Sequence, residues 1–350
     1  MADLPKDRLE PAPPFTYCGM DCFGPFIIKE RRCKVKRYGV IFTCLALRAV
    51  HIETIEEMST DAFINSLRSF IAIRGPVRHI RCDRGSNFIG AKNELYREMQ
   101  ALDKDTIQDT LQSVQCEFIF NSPASSHMGG VWERQIRSVR NVLAGILEQA
   151  KARLNTSSLR TFLYESMAIV NSRPLTTEHL NDPMGPTPLS PNQLLTMKSD
   201  VVAPPPGNFV KEDLYARKRW RTVQYLSNLF WTRWRKEYLI NLQSRQKWQK
   251  TKRNIQVGDI VLLQEEDTIR SHWRLAKVIE TNNDKDGLVR RVKILMGDPN
   301  LTKRGKRTTN CSILERPIHK LVLLVENNSE DHHPRCSPDG WEQYRVHSLS

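Results

Sequence analysis

Tyr17-Cys18-Gly19-Met20-Asp21-Cys22-Phe23-Gly24-Pro25 begins with a short apolar strand, Tyr17–Cys22, that carries one carboxylate, and it anchors the order of everything after it. Gly39–Leu47 is a nearly continuous apolar run, as expected of a buried strand, and Ala49–Thr54 gives a third. The tight spacing of the three suits an antiparallel meander. A helix follows, capped by Ser59 or Thr60, with Phe63, Ile64, Leu67, Phe70 and Ile71 on one stripe and Arg74-Gly75-Pro76 at its end. Val77–Asp83 is the next strand, then a helix near Ala91–Ala101, a strand at Cys116–Phe120, and long helices near Val131–Arg153 and Leu159–Asn171.

Three strands, helix, strand, helix, strand and then helices is the element order of a ribonuclease-H-like α/β domain. Residues 1–14 are Pro-rich and charged and read as an extended lead-in; the α/β unit spans 15–200. After Pro204-Pro205-Pro206-Gly207 the composition shifts. Residues 211–254 hold thirteen Lys/Arg against three acids, so most of the net charge of +14 sits in one segment. That segment, within a unit at 201–254, is also rich in aromatics at helical spacing. Phe230, Trp231 and Trp234 read as a core-facing stripe rather than as stacking platforms for bases. Residues 255–326 switch to strand patterns, at Ile260–Gln264, Trp273–Glu280, Val289–Leu295 and His319–Val325, and read as a small SH3-like β-barrel. The tail at 327–350 is polar and is expected to be disordered.

A basic chain of this kind favours a polyanionic partner. No apolar run is long enough to span a bilayer, and the first residues carry no apolar stretch like a signal peptide, so nucleic acid is the expected partner and a membrane is not. Eight scattered cysteines include Cys18 and Cys22 on either side of Asp21, but no second Cys/His pair stands at zinc-site spacing.

Three acids stand in distinctive local sequence: Asp21; Asp83 in Ile80-Arg81-Cys82-Asp83-Arg84-Gly85-Ser86-Asn87-Phe88; and Glu133 in Ser126-His127-Met128-Gly129-Gly130-Val131-Trp132-Glu133-Arg134. Asp21 falls in the first strand and Asp83 at the end of the fourth, which can neighbour the first in a sheet. Glu133 falls at a helix start, and at about 100° per residue it shares a face with Arg137 and Arg140, with Ile136, Val139, Leu143, Ile146 and Leu147 on an apolar stripe about a quarter turn away. Carboxylates brought together this way supply the hard oxygen ligands of a two-metal site for phosphoryl transfer, and the nearby guanidinium groups suit phosphate. Each acid alone also fits a turn, a cap or a solvated helix face.

These three motifs resemble the catalytic core of retroviral-type DDE integrases, most closely the integrases of BEL/Pao-type LTR retrotransposons. Gly-Met-Asp-Cys-Phe-Gly-Pro-Phe (19–26), Arg-Cys-Asp-Arg-Gly-Ser-Asn-Phe (81–88) and Ser-His-Met-Gly-Gly-Val-Trp-Glu-Arg (126–134) carry the resemblance. It implies that Asp21, Asp83 and Glu133 are the catalytic, metal-binding triad, holding two Mg²⁺ or Mn²⁺ ions. It also matches Asn87, Arg137 and Arg140 to DNA-contacting positions. The gap from Asp83 to Glu133 is 50 residues, longer than in the retroviral enzymes, and fits a helical insert before the Cys116–Phe120 strand. Residues 211–325 resemble the domain of uncharacterised function that commonly follows such cores. The family's N-terminal His-His-Cys-Cys zinc domain does not precede Asp21, so no zinc is expected in this chain.

The expectation is therefore a retrotransposon integrase fragment, a polynucleotidyl transferase that trims the 3′ ends of element DNA and joins them to target DNA, working as a homo-oligomer in the nucleus. Lys247, Lys250, Lys252 and Arg253 are expected to meet DNA, and with Arg217-Lys218-Arg219 they form candidate nuclear-import signals. Two other readings fit the same residues: a domesticated or decayed, catalytically silent DNA-binding remnant, and another ribonuclease-H-like nuclease.

Overall fold

The computed structural model describes residues 7, 10–82, 101–112, 116–120, 132–150, 153–175, 188–198, 203–242, 253–265, 270–284, 286–297 and 311–327. Two five-stranded sheets organise them. The first has the order β3-β2-β1-β4-β5, built from β1 (Tyr17–Glu30), β2 (Cys33–Cys44), β3 (Val50–Ile55), β4 (His79–Cys82) and β5 (Glu117–Phe120). β1–β2 and β2–β3 are antiparallel, whereas β1–β4 and β4–β5 are parallel. The expected meander and the expected pairing of the first and fourth strands are both present.

β1 is longer than its sequence suggests, because pairing with β2 resumes at Phe26 after a register shift that begins at Phe23. Beyond the shift, Phe26 and Ile28 are buried while Ile27 is exposed, so a strand buried on both faces before the proline becomes one-faced after it. The helix after β3 forms as expected: α1 (Thr60–Arg74) is capped by Ser59, whose side chain accepts from Ala62 N, and ends at Gly75, which has φ 89°. The helix expected near Ala91–Ala101 falls almost wholly outside the described residues. A short helix, α2 (Lys104–Gln112), precedes β5; the Asp103 side chain accepts from Asp105 N and Thr106 N at its start.

Helices α3 (Trp132–Ala150) and α4 (Thr156–Val170) follow, then the short α5 (Pro191–Thr196) and the long α6 (Arg219–Leu242). The expected stripe of α3 is buried in full: Ile136, Val139, Leu143, Ile146 and Leu147 join the core. Phe230, Trp231 and Trp234 of α6 are buried in the same core, so the aromatic stripe is indeed a packing surface. Phe230, Trp234 and Tyr238 form a stacked column along the helix.

The second sheet has the order β10-β6-β7-β8-β9, from β6 (Ile260–Leu263), β7 (Leu275–Asn283), β8 (Val289–Met296), β9 (Ser312–Pro317) and β10 (Leu321–Val325). All its ladders are antiparallel. Among the described residues no ladder joins its two ends, β10 and β9, so no closed barrel is formed. β9 has no counterpart in the sequence reading. Its residues alternate weakly, and it is an edge strand with no fully buried residue, ending in a proline.

This sheet docks on the helical layer through specific contacts. Trp273 sets its ring edge-on to Trp231, Trp234 and Tyr238, at centroid separations of 5.1, 5.9 and 5.4 Å, and donates from Nε1 to Ser172 Oγ. Arg270 reaches Gln224 and Glu165, and Arg235 donates to the carbonyl of Glu265 at 2.6 Å. α6 thus belongs to the first core and seats the second sheet.

One buried polar group on β3 sets a pH dependence. Arg74 Nε donates to His51 Nδ1 at 3.0 Å, which leaves the proton on Nε2, and Nε2 donates to Glu53 Oε1 at 2.7 Å. Tyr164 OH reaches the other oxygen of Glu53. Burial lowers the His51 pKa from 6.5, the Glu53 hydrogen bond raises it in part, and the Arg74 charge lowers it further. The folded protein therefore binds this proton less readily than the unfolded chain. Stability is fully present above the unfolded value of about 6.5 and falls as the pH drops below it. His272 is shifted in the same direction, again chiefly by burial. The urea midpoint is expected to fall between about pH 7 and about pH 5, and His51→Gln should flatten that fall. A midpoint indifferent to pH in this window contradicts the assignment.

Candidate functional site

Asp21 sits in the unshifted half of β1, opposite Ile41 on β2. Its neighbour Met20 pairs with Cys82, the last described residue of β4. Asp83, next in the chain after Cys82, lies outside the described residues, as does Asn87. Met20 and Cys22 point into the core that α1 and α2 cover, so by the two-residue period of the strand the Asp21 carboxylate faces the other side of the sheet, where α3 lies. Asp21 is 22% exposed in its side chain.

α3 crosses β1 here. Arg140 Nη1 donates to Asp21 Oδ2, an ion pair that joins strand and helix across 119 residues of sequence. Arg140 is 18% exposed in its side chain, and Arg137, one turn earlier, is exposed. Glu133 lies in the first turn of the same helix, and its side chain is outside what the structure describes. Seven residues separate it from Arg140, almost two full turns, so the two backbone positions share a face about 10 Å apart along the axis. The structure thus brings together Asp21, Arg140 and the helix that carries Glu133.

The donor chemistry around Asp21 is oxygen rather than sulfur. Burial pushes the Cys22 thiol well above its ordinary value, with Cys82 and Asp21 adding to the shift and Arg140 opposing it. Cys22 and Cys82 are both buried and behave as small apolar side chains. Among the described residues no three His, Cys, Asp or Glu side chains gather as a metal site; of the expected triad only the Asp21 side chain falls within them.

Of the basic residues expected to meet DNA near the C-terminal sheet, Lys247, Lys250 and Lys252 lie outside the described residues. Arg253 makes a two-pronged contact with Asp259, at 3.1 and 2.9 Å, and approaches Glu326 at 3.4 Å. Asp259 is fully buried and also accepts from the main chain of Gln256 and Asn327, so Arg253 secures the entry to the sheet.

Sequence reading missed the residues that fix the β2–β3 turn beside the start of α3. Gln135 Nε2 donates to the carbonyl of Arg48 at 3.0 Å, and Arg173 Nη2 donates to the carbonyls of Leu47 and Arg48 at 3.0 and 2.6 Å. Asn171 pairs its amide with both the N–H and the carbonyl of Val50 at 2.8 Å. For Asn171 and Arg173 the position at the end of α4 is the one local signal, since polar residues there can satisfy carbonyls that a helix end leaves open; Gln135, near the start of α3, gives none.

A family of unknown function (DUF5641) matches residues 218–324, the span from the start of α6 to the end of the second sheet. No curated protein matches the chain. Among solved structures, a simian T-cell lymphotropic virus intasome in complex with PP2A regulatory subunit B56 gamma is similar at 13% identity and a TM-score of 0.36, covering 90% of this chain and 80% of that one. A likeness at that TM-score carries no argument about function.

Proposed function

We propose that this chain is the catalytic and C-terminal part of a BEL/Pao-type retrotransposon integrase, a metal-dependent polynucleotidyl transferase acting on DNA. The observation that carries the reading is the Asp21–Arg140 pair, because it ties the first acidic motif to the helix of the third. The order β3-β2-β1-β4-β5, with the parallel pairing beginning at β1–β4, supports a ribonuclease-H-like core. The antiparallel second sheet, with a 3-10 turn at Ile318–Lys320 between β9 and β10, supports an open relative of the SH3-like barrel.

Asp21, Asp83 and Glu133 are the proposed ligands of two Mg²⁺ or Mn²⁺ ions. The fit rests on Asp21: a partly exposed carboxylate among inert thiols is a hard oxygen donor. The ions, when bound, supply charge neutralisation and a more acidic attacking hydroxyl. Arg140 neutralises Asp21 and holds α3 against β1. Arg137, exposed on the same face, offers a guanidinium to phosphate oxygens. In 3′-end trimming, water attacks phosphorus and frees a 3′-hydroxyl. In joining, that 3′-oxygen forms a bond to a target phosphorus as the target's own P–O3′ bond breaks. No covalent protein–DNA intermediate is formed.

Element ends and target DNA are the proposed partners, with nuclear entry and homo-oligomeric assembly as parts of the same reading. Asn87, Lys247, Lys250, Lys252 and Arg253 remain proposed DNA contacts. Purified protein supplied with Mn²⁺, a pre-processed element end and plasmid DNA is expected to give joined products. Neither joining nor cleavage on any end sequence would instead favour a DNA-binding remnant, and cleavage without joining another nuclease of this fold.

A further inference from the structure

The β2–β3 turn, the end of α4, the last turns of α6 and β10 line a half-open cavity of about 370 Å³. That is the size range of small-ligand pockets. Arg48 and Arg173 line it, with Tyr238 and apolar residues such as Leu47, Pro174 and Leu324; no Asp or Glu is among its described lining residues. Tyr238 ends the stacked aromatic column of α6.

The two arginines differ in kind. Arg173 is 3% exposed, and its partners among the described residues are the main-chain carbonyls of Val170, Leu47 and Arg48. Burial lowers its pKa to about 10, with Tyr238 opposing the fall, the nearby Arg48 charge adding to it and Cys44 opposing it. It therefore remains charged at neutral pH, with neutral partners around it. Arg48 is exposed and has φ 53°, a left-handed backbone that a residue with a side chain rarely adopts. Strain of this kind persists where surrounding groups over-determine it, often at ligand clamps. Here the clamp is visible: Arg173 and Gln135 both grip the Arg48 carbonyl. Gln135 stands two residues after Glu133, so its bond ties the turn to the helix start that carries the third acid.

We propose that this cavity receives a single nucleotide of a nucleic-acid strand, its phosphate on Arg48 and its base against Tyr238 and the apolar wall. The proposal extends the DNA reading above and rests on it for the source of the nucleotide. Two neighbouring guanidinium groups call for an anion, the aromatic and apolar walls call for a flat, poorly hydrated body, and the volume suits one nucleotide rather than a duplex. Arg173 and Gln135 act through the Arg48 backbone, setting the direction from which its side chain leaves the turn.

The test is titration of dAMP into the full chain, followed by calorimetry. Saturable binding is expected, with adenosine at least about tenfold weaker for want of the phosphate. Arg48→Gln should weaken dAMP by about tenfold or more. Arg48→Gly, which suits the left-handed backbone, should show the same loss without disturbing the turn. A short single-stranded oligonucleotide should compete with dAMP; failure to compete means that the cavity takes only free nucleotide and overturns the proposal. So does the absence of saturable dAMP binding, or binding unchanged in both Arg48 variants. None of these readouts needs strand joining. A chain that binds dAMP as described yet joins no DNA refutes the integrase reading, and one that joins DNA without binding dAMP refutes the cavity.

Discussion

Asp21→Asn and Asp83→Asn are each expected to cut strand joining by at least about 10³-fold while leaving DNA affinity largely in place. Each exchange keeps the size of the side chain and removes one of the proposed hard anionic ligands. A two-metal site supplies several kcal/mol of transition-state stabilisation, and each 1.4 kcal/mol or so is a factor of ten in rate. DNA affinity, by contrast, rests on cations spread over the chain, where one fewer acid matters little. The fold should survive Asp21→Asn, because the Asp21 carboxylate is partly exposed and Asn can still accept from Arg140. Thermal melts of both variants alongside the joining assay separate lost chemistry from lost structure. Joining by Asp83→Asn at the wild-type rate would remove Asp83 from the site.

Trp234→Ala is expected to destabilise the protein by about 3–5 kcal/mol, a large share of the 5–15 kcal/mol typical of a folded protein. Trp234 is 1% exposed, stacks between Phe230 and Tyr238, and meets Trp273 edge-on. The cavity left by its loss opens between the helical core and the second sheet at once. Near-ultraviolet dichroism in urea should then show both parts losing structure together and at a lower midpoint. If the sheet melts independently of the core in wild type, and Trp234→Ala shifts only one of two transitions, α6 is not the shared element described above. The same contacts bear on the matched family of unknown function. Its span starts at a helix whose aromatic face is buried among α3 and α4 residues, so residues 218–324 expressed alone would leave that face uncovered.

Much of the sheet was legible because its signals are local. The apolar run at Gly39–Leu47, the Ser59 cap and the Gly75 stop of α1, and the stripe of α3 each declare themselves within a dozen residues. The burial of Phe230, Trp231 and Trp234 followed from their spacing alone. β9 was not legible, since an exposed edge strand needs little apolar alternation and is held by its ladder to β8. Nor was the β2–β3 turn. Its left-handed Arg48 is fixed by donors 87 and 125 residues away in sequence, and no local pattern encodes such a contact. Of the candidate site, the motifs supplied the three acids, and helical spacing put Arg140 on the face of Glu133. The pairing of Arg140 with Asp21 needed the tertiary structure, because it depends on how α3 crosses β1.

Three acids far apart in sequence are proposed to hold two metal ions together. Electron paramagnetic resonance of Mn²⁺, titrated into the protein with an element-end duplex bound, counts those ions directly. Wild type is expected to hold two per chain, the number that a two-metal site requires, and Asp21→Asn, Asp83→Asn and Glu133→Gln should each hold fewer. Mn²⁺ binding by all three variants that matches wild type, or none by wild type itself, would contradict that proposal.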